Sequence, residues 1–183
     1  MNYIGIDCGL DGGIAFLEPQ TLRTVIMPVD VEIIKVGKKT KERRSINLLK
    51  LRDIIELCLR DSSGELTAII ENPGGHAPSA AGLRSMTYSF AVTEMCCVML
   101  GVKYETVLSQ AWQKTFWTKP KLPKLPKGEK RDPQEKFDTK AAALAVAVDI
   151  WPEHDWLASK RCKNPHDGMV DAALLALWGK NNL

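Results

Sequence analysis

Four acidic residues stand where a carboxylate is costly. Asp7 follows the apolar run Tyr3-Ile4-Gly5-Ile6, and Glu71 ends the run Leu66-Thr67-Ala68-Ile69-Ile70. Asp167 and Asp171 lie four residues apart, on one face of any helix that contains both. A carboxylate withdrawn from water needs a cation, a set of hydrogen-bond donors or a water-filled cleft. Three of the four have a plainer alternative. Asp7 can accept from the turn that follows it, Glu71 can face solvent at a strand end, and Asp167 can favour a helix start. Asp171 has none, because it lies a turn further in, amid Ala172, Leu175, Ala176 and Trp178. Together the four form an all-oxygen ligand set of the kind that suits Mg²⁺ or Mn²⁺. Two such ions about 4 Å apart can activate a water and stabilise a leaving 3′-oxygen in phosphodiester hydrolysis.

The elements that would position these acids can be read in chain order. Apolar and β-branched residues on both sides of Gly12-Gly13 predict two short strands joined by a tight turn, and Thr24–Met27 predicts a third, stopped by Pro28. Residues 31–36 read as a further extended piece opening into a Lys/Arg-rich loop. Asn47 caps a helix to about Leu59, since Leu48, Leu51, Ile54, Ile55 and Cys58 recur at helical spacing. Leu66–Ile70 reads as a buried parallel strand, with Glu71 at the carboxyl end where open α/β sheets place sites. A helix from about 81 to 100 begins with small residues, a strand spans 102–107, and Ser109 caps a short helix carrying Trp112, Phe116 and Trp117. Asp138 or Thr139 caps an Ala-rich helix to about Ile150. Asn164 then caps the last helix, with Pro165 at its first position and Asp167 at its third.

Composition bounds the class. The 183 residues, 45% hydrophobic and 26% charged, fit a single soluble domain, and no apolar run is long enough to span a membrane. Five cysteines without CxxC spacing argue against a disulfide framework or a zinc ribbon and for reduced thiols in a cytoplasmic protein. Cys96-Cys97 reads as core. Net charge is only +3 but is unevenly spread. One basic segment holds Lys35, Lys38, Lys39, Lys41, Arg43 and Arg44; a second holds Lys114, Lys119, Lys121, Lys124, Lys127, Lys130 and Arg131. Two such clusters on a nearly neutral chain imply a polyanionic partner. Four prolines within 118–137 mark an extended loop.

The ordered set resembles the RuvC-type Holliday junction resolvases of the RNase H-like superfamily, particularly their phage, poxviral and chloroplast relatives. The resemblance rests on Ile4-Gly5-Ile6-Asp7-Cys8-Gly9 with Gly12-Gly13-Ile14-Ala15, Ile69-Ile70-Glu71, Gln110-Ala111-Trp112-Gln113-Lys114, Asp138-Thr139-Lys140-Ala141 and His166-Asp167-Gly168-Met169-Val170-Asp171-Ala172-Ala173-Leu174. It runs from residue 3 to about 179. It implies an α/β fold with a five-stranded mixed sheet flanked by helices on both faces. It also implies a homodimer that cuts opposing strands of a four-way DNA junction with a divalent metal, two ions per site. By position, Asp7, Glu71, Asp167 and Asp171 match the family's metal-binding catalytic residues, and Lys114 matches a basic residue near the scissile phosphate. The helix from about 81, with Arg84 near its start, matches the dimer-forming, junction-facing element.

The sequence also departs from the family. Its last two acids are four apart, where bacterial resolvases space the pair by three. Relatives with the wider spacing carry a His at the earlier position, which keeps His166 beside Asp167 as an alternative ligand. Activity on other branched DNA or on RNA–DNA hybrids is the main alternative, because the chemistry is shared. A sugar-kinase-like ATPase, which opens with a similar hairpin, needs two such domains and more chain than this.

Overall fold

A computed structural model describes residues 1–37, 39–74, 79–120 and 137–183. In chain order the elements are β1 (Asn2–Asp7), β2 (Gly13–Leu17), β3 (Leu22–Ile26), β4 (Val29–Val36), β5 (Lys39–Ile46), α1 (Leu48–Asp61), β6 (Leu66–Asn72), α2 (Ala80–Met99), β7 (Lys103–Leu108), α3 (Ser109–Phe116), α4 (Thr139–Ile150) and α5 (Asp167–Asn182). The main sheet has the order β3-β2-β1-β6-β7. β1, β2 and β3 are antiparallel neighbours, whereas β6 joins β1, and β7 joins β6, in parallel. This is the mixed five-stranded α/β sheet that the resemblance implies.

Side chains on a strand alternate between faces, and that parity builds two cores. Ile4, Ile6, Ile14, Phe16, Ala68 and Ile70 join Leu51, Ile55 and Cys97 from α1 and α2. Tyr3, Ala15, Leu17 and Ile69 join Ala143 and Ala147 of α4, Trp112 of α3, and Met169 to Ala176 of α5. α5 lies directly on β1 and β2, and glycine permits that closeness. A Cβ on Gly5 would overlap the Ala172 carbonyl and stand 2.5 Å from the Ala176 nitrogen. Gly12 and Gly168 pair backbone to backbone, tying the start of α5 to the β1–β2 turn.

Several expectations need correction. The Lys/Arg-rich stretch is strand β5, paired antiparallel with β4 as a separate two-stranded sheet. Cross-strand partners such as Glu32 opposite Arg43 offset its charge, and only the pairing reveals them. Ser109 is not a cap. The chain is still extended at Leu108 (φ −71°, ψ 143°), so Ser109 is already the first helical residue. α5 begins two residues later than expected. His166, not Asn164, is its N-cap, because the His166 N–H is given to the Trp156 carbonyl at 2.8 Å and its backbone stays extended. Asp167 is therefore the first helical residue. Of the neighbouring cysteines, Cys97 is buried and Cys96 only half-buried, and the described cysteines are all free thiols. Asn47 and Asp138 cap α1 and α4 through their side chains, to Lys50 N and to Lys140 N and Ala141 N. No helix among the described residues is long and apolar enough to cross a membrane.

Candidate active site

The parity that divides the core also assembles the acids. Asp7 shares a sheet face with Tyr3 and Gly5, and Glu71 shares it with Ile69; this is the face that α5 covers. β1 and β6 run in parallel with Ile6 beside Ile70, so Asp7 and Glu71 end adjacent strands side by side. Ala172 sits over Gly5, which brings Asp171, one residue earlier on α5, towards the same strand ends.

Electrostatics show how closely the acids crowd. Burial, then the neighbouring Glu71 charge, raises the Asp7 carboxyl to about 7, although the Gly9 N–H donates to Asp7 Oδ1 at 3.1 Å. Burial, then the charges of Asp7, Glu71 and Asp167, raises Asp171 to about 8. Like charges forced together out of water hold protons that solvated acids would lose. The arrangement thus has anionic capacity that the described residues neutralise only in part. Beside it, the buried Cys8 thiol is pushed up to about 12 by the loss of solvent, then by Asp7 and Glu71, and it donates to the Glu71 carbonyl at 3.4 Å.

Two partners of the acids were not expected from the sequence. Trp112, fully buried and packed edge-on against Phe116 and Trp117, donates its indole N–H to Glu71 Oε1 at 3.1 Å. Lys140, in the first turn of α4, donates its ammonium to Asp167 Oδ2. That contact, followed by the Asp171 and Asp138 charges, raises the Lys140 pKa. Lys140 is the cation that tempers both Asp7 and Asp171. Its place after the Asp138 cap was the available signal, since a first-turn lysine opposes the helix dipole and needs an acid nearby.

The remaining expected site residues are dispersed. Lys114 is exposed on α3 and lines a groove with Gln110, Gln113, Trp117 and Lys119. Lys119 donates to Gln113 Oε1 at 3.0 Å. Arg84 is exposed on α2 beside Tyr88. Lys39, Lys41, Arg43 and Arg44 are exposed on β5, and Arg44 donates to the Leu10 carbonyl and to Asp11 Oδ1 at 2.9 and 2.8 Å. His166 flanks a different cavity, with Leu10, Asp11 and Gly12. Lys38, Lys121, Lys124, Lys127, Lys130, Arg131 and most of the proline-rich loop lie outside the described residues.

An all-carboxylate donor set carrying surplus negative charge fits a hard divalent cation. Among the described residues no three Asp, Glu, His or Cys side chains are already closed around one point. Gly9, Trp112 and Lys140 instead hold Asp7, Glu71 and Asp167 separately.

No family model and no curated protein matches the sequence. Solved structures do resemble the fold. RuvC of Thermus thermophilus in complex with a Holliday junction substrate superposes with a TM-score of 0.52 at 10% identity, covering 97% of this chain and 92% of that one. A second Thermus thermophilus RuvC structure gives a TM-score of 0.50 at 10% identity, covering 99% and 96%. At this identity the likeness establishes the fold.

Proposed function

We propose that this chain is a divalent-metal-dependent endonuclease that cuts branched DNA, with the four-way junction as its preferred substrate. The observation that carries the reading is the crowding of Asp7, Glu71 and Asp171 at the ends of two adjacent parallel strands. Asp7, Glu71, Asp171 and Asp167 would hold Mg²⁺ or Mn²⁺, up to two ions. A bound ion supplies charge to activate water and to stabilise the departing 3′-oxygen. The protein's own groups prepare this. The indole of Trp112 orients Glu71, the ammonium of Lys140 holds Asp167, and the closeness of α5 to β1 keeps Asp171 within range of Asp7. Binding a cation displaces the protons that Asp7 and Asp171 retain near neutral pH, so metal affinity rises with pH.

Lys39, Lys41 and Arg43 on β5, with Lys114, Lys119 and Arg84, supply phosphate contacts. Two-fold action needs a second copy. α2 offers a face for it, where Tyr88, Met95, Val98 and Met99 are 49%, 59%, 57% and 79% exposed at helical spacing. The decisive experiment incubates the protein with a synthetic four-way junction, a linear duplex and an RNA–DNA hybrid, with Mg²⁺ or Mn²⁺. Paired symmetric nicks in the junction are expected, and Asp7→Asn is expected to abolish them while retaining junction binding. Equal cutting of the linear duplex defeats the junction assignment, and absence of cutting on every substrate defeats the nuclease itself.

A further inference from the structure

The main sheet ends at β3, which pairs with β2 alone. Facing residues of an antiparallel pair alternate between exchanging two hydrogen bonds and exchanging none. In the register of β2 with β3, the Met27 N–H donates to the Gly12 carbonyl and the Glu18 N–H to the Thr21 carbonyl, each at 3.0 Å. The bonded positions between them are therefore Arg23 and Val25, and the N–H and C=O groups of Leu22, Thr24 and Ile26 turn outward. Among the described residues no further backbone group meets them.

A cavity flanks this edge on each face of the sheet. On the α1 side, one of about 240 Å³ is lined by Phe16, Val25, Ile54 and Leu57, with Arg23 lying 4.7 Å over the Phe16 ring. On the α4 side, one of about 410 Å³ is lined by Leu22, Trp151, Glu153 and His154. Arg23 is already engaged by Asp61 at 2.8 Å and by Glu18 at 4.0 Å. Among the described groups that line the cavities or bond to Arg23, the acids Glu18, Asp61 and Glu153 thus outnumber the one fixed cation.

We propose that β3 accepts an extended segment of another protein as a further strand, one in which apolar and basic residues alternate. Backbone pairing with Leu22, Thr24 and Ile26 supplies affinity, and side-chain pockets supply selectivity. Side chains of the added strand alternate between faces, so successive positions meet one cavity and then the other. An apolar side chain suits the wall of Phe16, Val25 and Leu57. A lysine or arginine suits the other face, over the Trp151 indole and beside the Glu153 carboxylate. The acidic surround disfavours nucleic acid here, in contrast to the basic residues elsewhere on the chain. A second copy is a poorer match, because the one charged residue of β3, Arg23, lies on the α1 face and brings no cation to Glu153. Leu22 aligns with Leu17, and Leu17 with Tyr3, so the acidic end of the edge lies away from Asp7 and a bound segment leaves the carboxylates uncovered.

The test titrates the isotope-labelled full chain with a synthetic peptide of about seven residues that alternates valine and lysine. Amide hydrogen exchange is followed by NMR, without nucleic acid or metal, so the outcome is independent of the nuclease reading. At saturation, exchange at Leu22, Thr24 and Ile26 should slow about tenfold, with smaller change at Arg23 and Val25, which β2 already protects. Thr24→Pro removes one outward donor at an edge position that tolerates proline, and should weaken binding about tenfold by fluorescence anisotropy. Thr24→Val gives up the 2.8 Å bond to His154 but keeps the N–H, and should bind as the wild type does. The proposal is overturned if the peptide does not bind, or if it binds without protecting the three outward amides, a readout that stands even where Thr24→Pro fails to fold. Equal binding of a peptide with aspartate in place of lysine overturns it too. So does self-association of the free chain that Thr24→Pro abolishes, which would assign the edge to a second copy.

Discussion

Replacing Asp7 by Asn should make the metal-free protein more stable, and the gain should grow with pH. The Asp7 carboxyl is raised from 3.8 to about 7 in the folded chain. Between those values the folded state keeps a proton that the unfolded chain has released. The stability this proton contributes is full below pH 3.8 and is lost as pH rises through 7. At about 1.4 kcal/mol per pH unit, the wild type should lose about 3 kcal/mol from this group between pH 5 and pH 8. Asn carries no charge, and its side-chain oxygen can still accept from the Gly9 N–H. Asp7→Asn also relieves Asp171, which the Asp7 charge helps to raise to about 8. The assay is urea denaturation in EDTA at pH 5 and pH 8. The variant's midpoint should exceed that of the wild type at both, with the larger gap at pH 8. Adding Mn²⁺ at pH 8 should stabilise the wild type and narrow the gap. A gap that does not change with pH would show that Asp7 is solvated in the folded chain, and the crowding described above would be wrong.

Two further substitutions test what positions the cluster. Trp112→Phe keeps most of the buried ring but removes the N–H given to Glu71, and should cost about 2–3 kcal/mol and weaken Mn²⁺ binding measured by calorimetry. Stability within about half a kcal/mol of wild type would mean that Glu71 does not depend on the indole. Gly5→Ala drives a methyl into the backbone of α5 and should cost at least 2–3 kcal/mol by thermal melting. Gly64→Ala, with no atom within 4 Å of the new methyl, should stay within about half a kcal/mol.

Much of the site was legible because a strand displays its faces by parity. Asp7 and Glu71 could be placed on strands from two apolar runs, and the pairing shows those strands to be neighbours. The partners of these acids could not be so placed, since Trp112 and Lys140 reach them from elements far along the chain and look like an ordinary core aromatic and a surface lysine. The β4–β5 ribbon was hidden for another reason. Lys39 to Ser45 contains little that favours a strand, and the residues that stabilise it sit opposite rather than beside it. The start of α5 moved because the Trp156 carbonyl claims the His166 N–H, a contact with no local signature.

The ribbon's attachment has an evolutionary consequence. The Asn47 N–H donates to the Pro28 carbonyl at 2.9 Å, so the chain leaves and returns at a single point, and β4 and β5 pair only with each other. Such an excursion can lengthen, shorten or change its charge without shifting the register of the five central strands. Ile46 and Val29, packed against the core, Asp30, bonded to Asn47, and Arg44, fastened to the turn beside Asp7, constrain its base. Selection can therefore remodel the charged surface that the ribbon presents while the carboxylates stay where the sheet puts them.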